Sequence, residues 1–472
     1  MEQSVQDHVA DNKTYVPKYA EKFDFINMSK TYYAYSTHAP EVYGEATAMS
    51  LLGHALGPKV TNLIQPKAVN HNVYTLLDGE STWTHKTTAQ ELGQQIDNIE
   101  KRLPNEGSPE AILNALSRHP QGYWWMGEFS KILKAIKSAS YLSGIAEVLN
   151  DMFNCPEHYV RELTPKGKNK TEPLRFEIQN AYLSVHTTIT PDVLLENTTL
   201  EMVNGGLFAR FLIVHGTAKE GGDRKRLPSD IDTFVDILRS DLRFIEELDK
   251  DDCAFVLSDE ALEYYNTIEK ELSQSTNARA FAGRYLNYVI SFADIYLVSE
   301  AIGIALDMEN LRTFNDLASL VQLVNLVNNN AENCTETKIN FTIPNKDTKL
   351  TKRLIVVNKK YVEKAWKFIK PCLEYAKEIV TYVDMDKKLA KVRRLVKDSQ
   401  IQPVNHSKVF QNSNLYKEEF EKTIKSLEER GDITTEIVET QTNGRKYRYI
   451  AYRWNAKPKD GRMLVVQGVD NQ

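Results

Sequence analysis

The chain predicts an α/β fold: a mainly parallel sheet with helices on both faces. Three observations carry that prediction. Short apolar runs at 73–77, 122–126, 181–187 and 210–215 have the length and composition of buried strands. Amphipathic stretches with helical spacing alternate with them, as in a parallel sheet built from strand–helix units. The first run is followed by a turn at Gly79 and then by Thr87-Thr88-Ala89-Gln90-Glu91-Leu92, which opens a helix whose free N–H groups can bind an anion.

The elements follow in order. Residues 1–34 are polar and tyrosine-rich with few periodic apolar positions, and are expected to form an N-terminal extension that packs on another domain or subunit. Val42, Ala46, Met49, Leu52 and Leu56 suit an amphipathic helix over 40–56. Thr88 to Leu103 predicts a second helix, and Ser108-Pro109-Glu110 starts a third, with Ser as N-cap and Pro in the first turn. Residues 160–178 read as a hairpin with a basic tip. The expected core therefore spans 35–256. Residues 257–383 predict a helical subdomain, with an exposed insertion at 328–351 and a helix over 362–383 that Pro371 kinks. In 384–472, helices at 389–396, 404–411 and 415–430 precede strands at 433–440 and 445–454, joined at Asn443-Gly444, a two-residue hairpin turn. Three helices and a hairpin resemble a winged helix–turn–helix domain followed by a tail.

The strand–loop–helix at 73–88 has the chemistry of a phosphate-gripping loop. Gly79 permits the sharp turn, Ser81, Thr82, His85 and Thr88 line the loop, Lys86 would pair with the β- and γ-phosphates, and the Thr87 hydroxyl would ligate Mg²⁺. Two features depart from the usual P-loop: Gly79 lies seven residues before Lys86, and His85 stands where a second Gly is usual. His85 must accept strain or signal a differently shaped loop. The strand 122–126 runs into Gly127-Glu128-Phe129-Ser130, where Glu128 would polarise the attacking water; the usual preceding Asp is Gly127. Thr187 or Thr188 could sense the γ-phosphate from a third strand end, and Arg210 could reach a neighbouring subunit's nucleotide. The bland readings are a surface Lys86, an aromatic core strand with an incidental Glu128 and a salt-bridged Arg210.

The order of these segments resembles the helicase-like, RecA-type P-loop ATPase family of archaeal and bacterial viruses, plasmids and integrated elements. The resemblance rests on Gly79-x-Ser-Thr-x-x-His-Lys-Thr-Thr88, Leu103-Pro-Asn-Glu-Gly-Ser-Pro-Glu-Ala111, Gly127-Glu-Phe-Ser130, Thr188-Ile-Thr-Pro191 and Gly205-Gly-Leu-Phe-Ala-Arg-Phe211, within residues 35 to 330. Members carry a degenerate loop with a basic residue before the Lys, and more often Asp-Glu-Phe where this chain has Gly127-Glu128-Phe129. The resemblance implies ATP and Mg²⁺ as ligands, a ring-forming homo-oligomer with a hexamer favoured, and a DNA replication or helicase-type role on a mobile genetic element.

Composition adds bounds. The 472 residues carry a net charge of −5, which excludes a globally basic DNA-coating protein but permits a local basic face. Cys155, Cys253, Cys334 and Cys372 form no Cys-x-x-Cys pair, so a zinc ribbon or disulfide scaffold is not expected and a reducing cytoplasm fits. No membrane association is expected, because no apolar run approaches a bilayer span.

Candidate DNA contacts are Lys166, Lys168 and Lys170 at the hairpin tip, Asn414, Tyr416 and Lys417 at the start of the third C-terminal helix, and Arg445, Lys446 and Arg448 on the wing. Glu418, Glu419, Glu421, Glu428 and Glu429 make that helix less basic than a usual DNA reader. The expected activity is an ATP-dependent, DNA-acting motor that prefers single strands or forks, with duplex contacts through the winged helix. The alternative is a catalytically weak, ATPase-derived initiator, adaptor or transcriptional regulator, for which Gly127 is the best sign.

Overall fold

The computed structural model describes residues 24–64, 68–137, 144–163, 174–199, 202–203, 205–217, 231–251, 253–273, 279–307, 317–328, 338–342, 349–383, 387–442 and 445–455. The chain forms two compact units, Met1–Lys377 and Glu378–Gln472.

In the first unit, α1 (Phe25–Ser36) and α2 (Glu41–Leu56) precede β1 (Tyr74–Gly79), and α3 (Lys86–Ile96) and α4 (Pro109–Arg118) precede β2 (Gln121–Glu128). Then come α5 (Ser130–Lys137), α6 (Ile145–Met152), the antiparallel pair β3 (His158–Leu163) and β4 (Leu174–Gln179), β5 (Tyr182–Ile189), α7 (Pro191–Asn197), α8 (Leu207–Arg210) and β6 (Phe211–Gly216). The central strands pair in parallel in the order β2-β5-β1-β6. Every residue of β1 and β5 is buried, as expected of central strands covered on both faces, although β5 carries Ser184, His186, Thr187 and Thr188 among its apolar residues.

Residues 25–36 depart from expectation. They form a helix capped by the Asp24 side chain, which accepts from the Asn27 N–H at 3.0 Å. Phe25, Ile26, Met28, Tyr32 and Tyr33 are buried. The stripe is periodic once tyrosine is counted as apolar, since its ring packs while its hydroxyl bonds: Tyr33 donates to the Ala89 carbonyl at 2.7 Å.

α9 (Ile231–Glu247), β7 (Cys253–Leu257) and α10 (Asp259–Ser273) lead to α11 (Arg279–Asp307). This long helix closes the β6 edge of the sheet. The Tyr285 hydroxyl accepts from the Ile213 N–H at 3.2 Å and donates to the Phe211 carbonyl at 3.1 Å, giving partners to edge groups that a further strand would otherwise bond. Contrary to the expectation that no apolar run approaches a bilayer span, its segment Phe281–Ala305 has the length and hydropathy of one, with 83% of its most apolar window buried inside the fold.

The helical subdomain expected over 257–383 is mostly helix but also contributes strands. After α12 (Leu320–Asn328), β8 (Lys338–Thr342) and β9 (Lys349–Val357) join β7 in a sheet of order β7-β9-β8, with β7 and β9 parallel. The expected exposed insertion at 328–351 thus contributes strand. The short apolar run Leu354-Ile355-Val356-Val357 is a buried-strand signal that a search for helical periods overlooks. α13 (Lys359–Val383) then runs through Pro371.

The second unit holds α14 (Lys387–Lys397), β10 (Val404–Asn405), α15 (His406–Ser413), α16 (Lys417–Glu429), β11 (Ile433–Thr442) and β12 (Arg445–Trp454). Its sheet is antiparallel, in the order β10-β12-β11. Val392, Val396, Phe420, Leu427, Ile433 and Tyr452 form its core. Thr442 pairs with Arg445 across the hairpin end, and the connecting Asn443-Gly444 lies outside the described residues.

Candidate functional site

The parallel register brings several of the singled-out residues to one edge of the central sheet. Gly79 ends β1, Glu128 ends β2, Thr188 lies near the end of β5 opposite Glu128 and Leu77, and Gly216 ends β6 opposite Gly79. This is the carboxyl edge, where open α/β sheets bind ligands. β5 separates β1 from β2, so Glu128 stands two strand spacings, roughly 10 Å, from the loop strand. That gap is wide enough for a phosphate group and a water.

Lys86 is the first residue of α3 and folds back over the loop. Its ammonium donates to the Gly79 carbonyl at 2.8 Å and the Glu80 carbonyl at 3.2 Å. Burial lowers its pKa, while the Asp78 and then the Glu128 carboxylates oppose that shift. A buried ammonium held by carbonyls alone is a charge in waiting, since a phosphate would be a stronger partner. His85 takes the left-handed conformation, φ 49°, and so adopts the geometry for which Gly is the usual choice. It makes no side-chain cap, so the first N–H groups of α3 are available to an anion. Thr82 is likewise left-handed, φ 66°, and exposed with Ser81 and Thr87 around the loop; Thr88 is half-buried. The exposed hydroxyls of Ser81, Thr82 and Thr87 and the buried Lys86 ammonium are of the chemistry a phosphate-binding loop needs. Among the described residues, no cluster of three or more His, Cys, Asp or Glu side chains is placed to hold a metal by itself.

Glu128 is exposed, and Ser130 Oγ donates to its Oε2 at 3.1 Å. It lines a cleft of about 280 Å³ with Glu106, Ser108, Trp124, Gly127 and Lys131. A Cβ built at Gly127 would meet only Glu106 Oε1, at 4.0 Å, so the site has room for the missing Asp. Thr187 Oγ1 donates to the Gly127 carbonyl at 2.5 Å, and the Phe129 N–H donates to the Thr188 carbonyl at 3.0 Å. The Thr187 hydroxyl is thereby engaged, and Thr188 is buried beside it.

Arg210 is at the other edge. It precedes β6, whose Phe211 pairs with Tyr74 at the start of β1, about 17 Å along the strand from Gly79. Its Nη1 donates to the Gly206 carbonyl at 2.7 Å, and its guanidinium lies 5.8 Å from the Phe153 ring. It does not join the loop of its own chain, so any contact with nucleotide needs a second copy.

Four residues of this region escape sequence reading. Gln90, one turn after Lys86, donates to the Met126 carbonyl at 2.9 Å and the His186 carbonyl at 3.0 Å. Met126 lies in a register shift of β2 between Trp125 and Glu128, so Gln90 supplies a bond the ladder cannot. Asp78, fully buried, accepts from His215 Nδ1 at 2.7 Å and from the Tyr375 hydroxyl at 2.5 Å, and the two rings stack at 4.2 Å. A polar residue one helical turn from the key lysine is a usable sequence signal for Gln90. The Asp78 contacts are long-range and have none.

Of the expected DNA contacts, Lys166, Lys168 and Lys170 lie outside the described residues. Asn414 is the left-handed C-cap of α15, and Tyr416 caps α16, 82% exposed. Lys417 sits 4.0 Å from Glu421, and Arg448 pairs with Glu439. Lys446 is exposed; Arg445 is placed in β12.

No family model matches this chain, and no curated protein matches it.

Proposed function

We propose that this chain is an ATP-dependent motor acting on DNA, of the RecA-like P-loop type, serving replication of a mobile genetic element as a cytoplasmic, ring-forming homo-oligomer, with a hexamer favoured. One observation carries the reading: a buried lysine folded onto the loop carbonyls at the end of β1, with a glutamate on the same sheet edge two strands away. In this reading the loop N–H groups and Lys86 would hold the triphosphate, and the Thr87 hydroxyl would be a ligand to Mg²⁺, which would supply charge neutralisation when bound. Glu128 orients the attacking water, Thr188 senses the terminal phosphate, and Arg210 completes a neighbour's site. The second unit is read as a winged helix–turn–helix that contacts duplex DNA, while the motor prefers single strands or forks.

Gly127 favours a second reading, an ATPase-derived initiator, adaptor or regulator that binds nucleotide and DNA but hydrolyses little. Steady-state ATP hydrolysis with and without single-stranded DNA separates the two, with Lys86→Ala as the control for contaminating ATPase. DNA-stimulated turnover that disappears in the variant supports the motor; turnover equal to the variant's supports the weak ATPase.

A further inference from the structure

The amino edge of the central sheet carries a second concavity, independent of the loop. It measures about 330 Å³ and is lined by Lys101, Arg118, His119, Gln121, Gln179 and Asn180, with Pro120 between the strand and helix contributions. Four elements build it, with Lys101 supplied by the 3-10 turn Ile99–Lys101. Arg118 and His119 are the last residue and the C-cap of α4, Gln121 opens β2, and Gln179 and Asn180 close β4 and turn towards β5. The floor is fixed by backbone bonds: the Tyr182 N–H donates to the Pro120 carbonyl at 2.9 Å, and the Asn180 N–H to the Glu157 carbonyl at 2.8 Å.

The lining is one-sided in chemistry. It holds two permanent cations, an imidazole and three side-chain amides, and no carboxylate. Among the described residues, no carboxylate pairs with Arg118; its Nε reaches the Asn114 carbonyl at 3.4 Å, which leaves most of the guanidinium fork for another acceptor. Lys101 pairs with Glu246 at 2.7 Å, but an ammonium has three donors.

The geometry points to this cleft as a binding site for a phosphate group, at the sheet edge opposite the nucleotide loop. A fork of guanidinium donors, an ammonium and amide N–H groups match tetrahedral oxyanion oxygens, and they read no base. The phosphate could belong to a nucleic-acid strand or to a free anion; the chemistry is shared, and experiment separates the sources.

The test uses the full-length chain carrying Lys86→Ala, so that the loop does not contribute, with and without the exposed pair Arg118→Gln and His119→Gln. Fluorescence anisotropy of a labelled oligothymidine is measured across a salt series, and pyrophosphate binding is measured by calorimetry. If a strand is the source, the double change weakens oligothymidine binding about tenfold and reduces the salt slope by about 0.7 for each phosphate that is no longer neutralised. If a free anion is the source, pyrophosphate binding disappears while strand binding is unchanged. Either result supports the site, provided the melting temperature is unaltered. Strand affinity, salt slope and pyrophosphate binding all insensitive to the two changes would overturn it.

Discussion

The nucleotide loop and the C-terminal unit are both expected to meet phosphate, yet they hold their cations in opposite ways. Lys86 is buried and bonded to carbonyls, with its charge uncancelled by any direct carboxylate contact. In the second unit, Arg448 pairs with Glu439, Arg453 with Glu436, Lys388 with Glu419 and Lys397 with Glu378. A cation without a carboxylate partner can be spent on a ligand; a paired one must first be released. The first region keeps a buried cation without a direct carboxylate contact, whereas in the second these four cations are paired.

The largest effect that would sharpen this contrast lies at Glu128. Glu128→Gln keeps size and polarity but cannot accept a proton from water. Hydrolysis is expected to fall about 10²- to 10⁴-fold while nucleotide affinity stays within about twofold, as read by turnover and equilibrium nucleotide binding. Loss of affinity in parallel with turnover would mean that Glu128 shapes the site and does not serve the chemistry.

Acidification should separate the two units. His54 and His186 in the first unit are fully buried, and burial pushes both imidazoles down to about 3. Their contribution to stability is complete above the unfolded value near 6.5 and is lost as pH falls towards 3, on the order of several kcal/mol across the window. Asp97 acts in the opposite sense. Burial raises its carboxyl to about 6 against the bonds from Trp125 and Arg102, so its contribution is lost as pH rises from about 4 to 6. Asp241 and Asp294, buried and likewise raised, act in the same sense as Asp97. The histidine share is therefore read as a difference: in calorimetry between pH 6.5 and 3, His186→Gln should lose less stability on acidification than the unchanged chain, and an equal loss would remove His186 from the account.

A smaller effect is expected at Gln90. Gln90→Leu leaves the Met126 and His186 carbonyls without their side-chain donor, costing about 1–3 kcal/mol. Because Met126 precedes Gly127 and Glu128, turnover should fall further than the change in folded population explains. A melting shift without excess loss of turnover would make Gln90 purely structural.

Which parts are legible in the sequence follows from how local each signal is. The strand–loop–helix is readable because the apolar run, Gly79 and the helix that starts at Lys86 are close in sequence. The parallel sheet is readable because β1 and β5 are buried along their whole length. α1 escapes because Tyr32 and Tyr33 count as polar in composition yet pack as apolar rings. β8 and β9 escape because short strands carry weak periodicity. The Tyr375–Asp78 bond joins residues 297 positions apart, and no pattern within either segment announces it. The glutamates of α16 are legible in number, but their pairing with Lys388 and with lysines of their own helix is set by the fold.

The finest test acts on the second unit itself. If its hairpin grips DNA, the ion pairs of Glu436 and Glu439 compete with phosphate for Arg453 and Arg448. Glu436→Gln with Glu439→Gln should then tighten duplex binding a few-fold and steepen the salt dependence by about 0.9 for each arginine released to a phosphate. Surface ion pairs contribute little to folding, so the melting temperature should hardly move. A protein-contacting hairpin predicts the reverse pattern, with duplex affinity and salt slope unchanged, because its arginines would then serve to hold β11 against β12. That outcome would leave the first unit as the DNA-engaging part of the chain and would turn the contrast between spent and available cations into a division of labour between the two units.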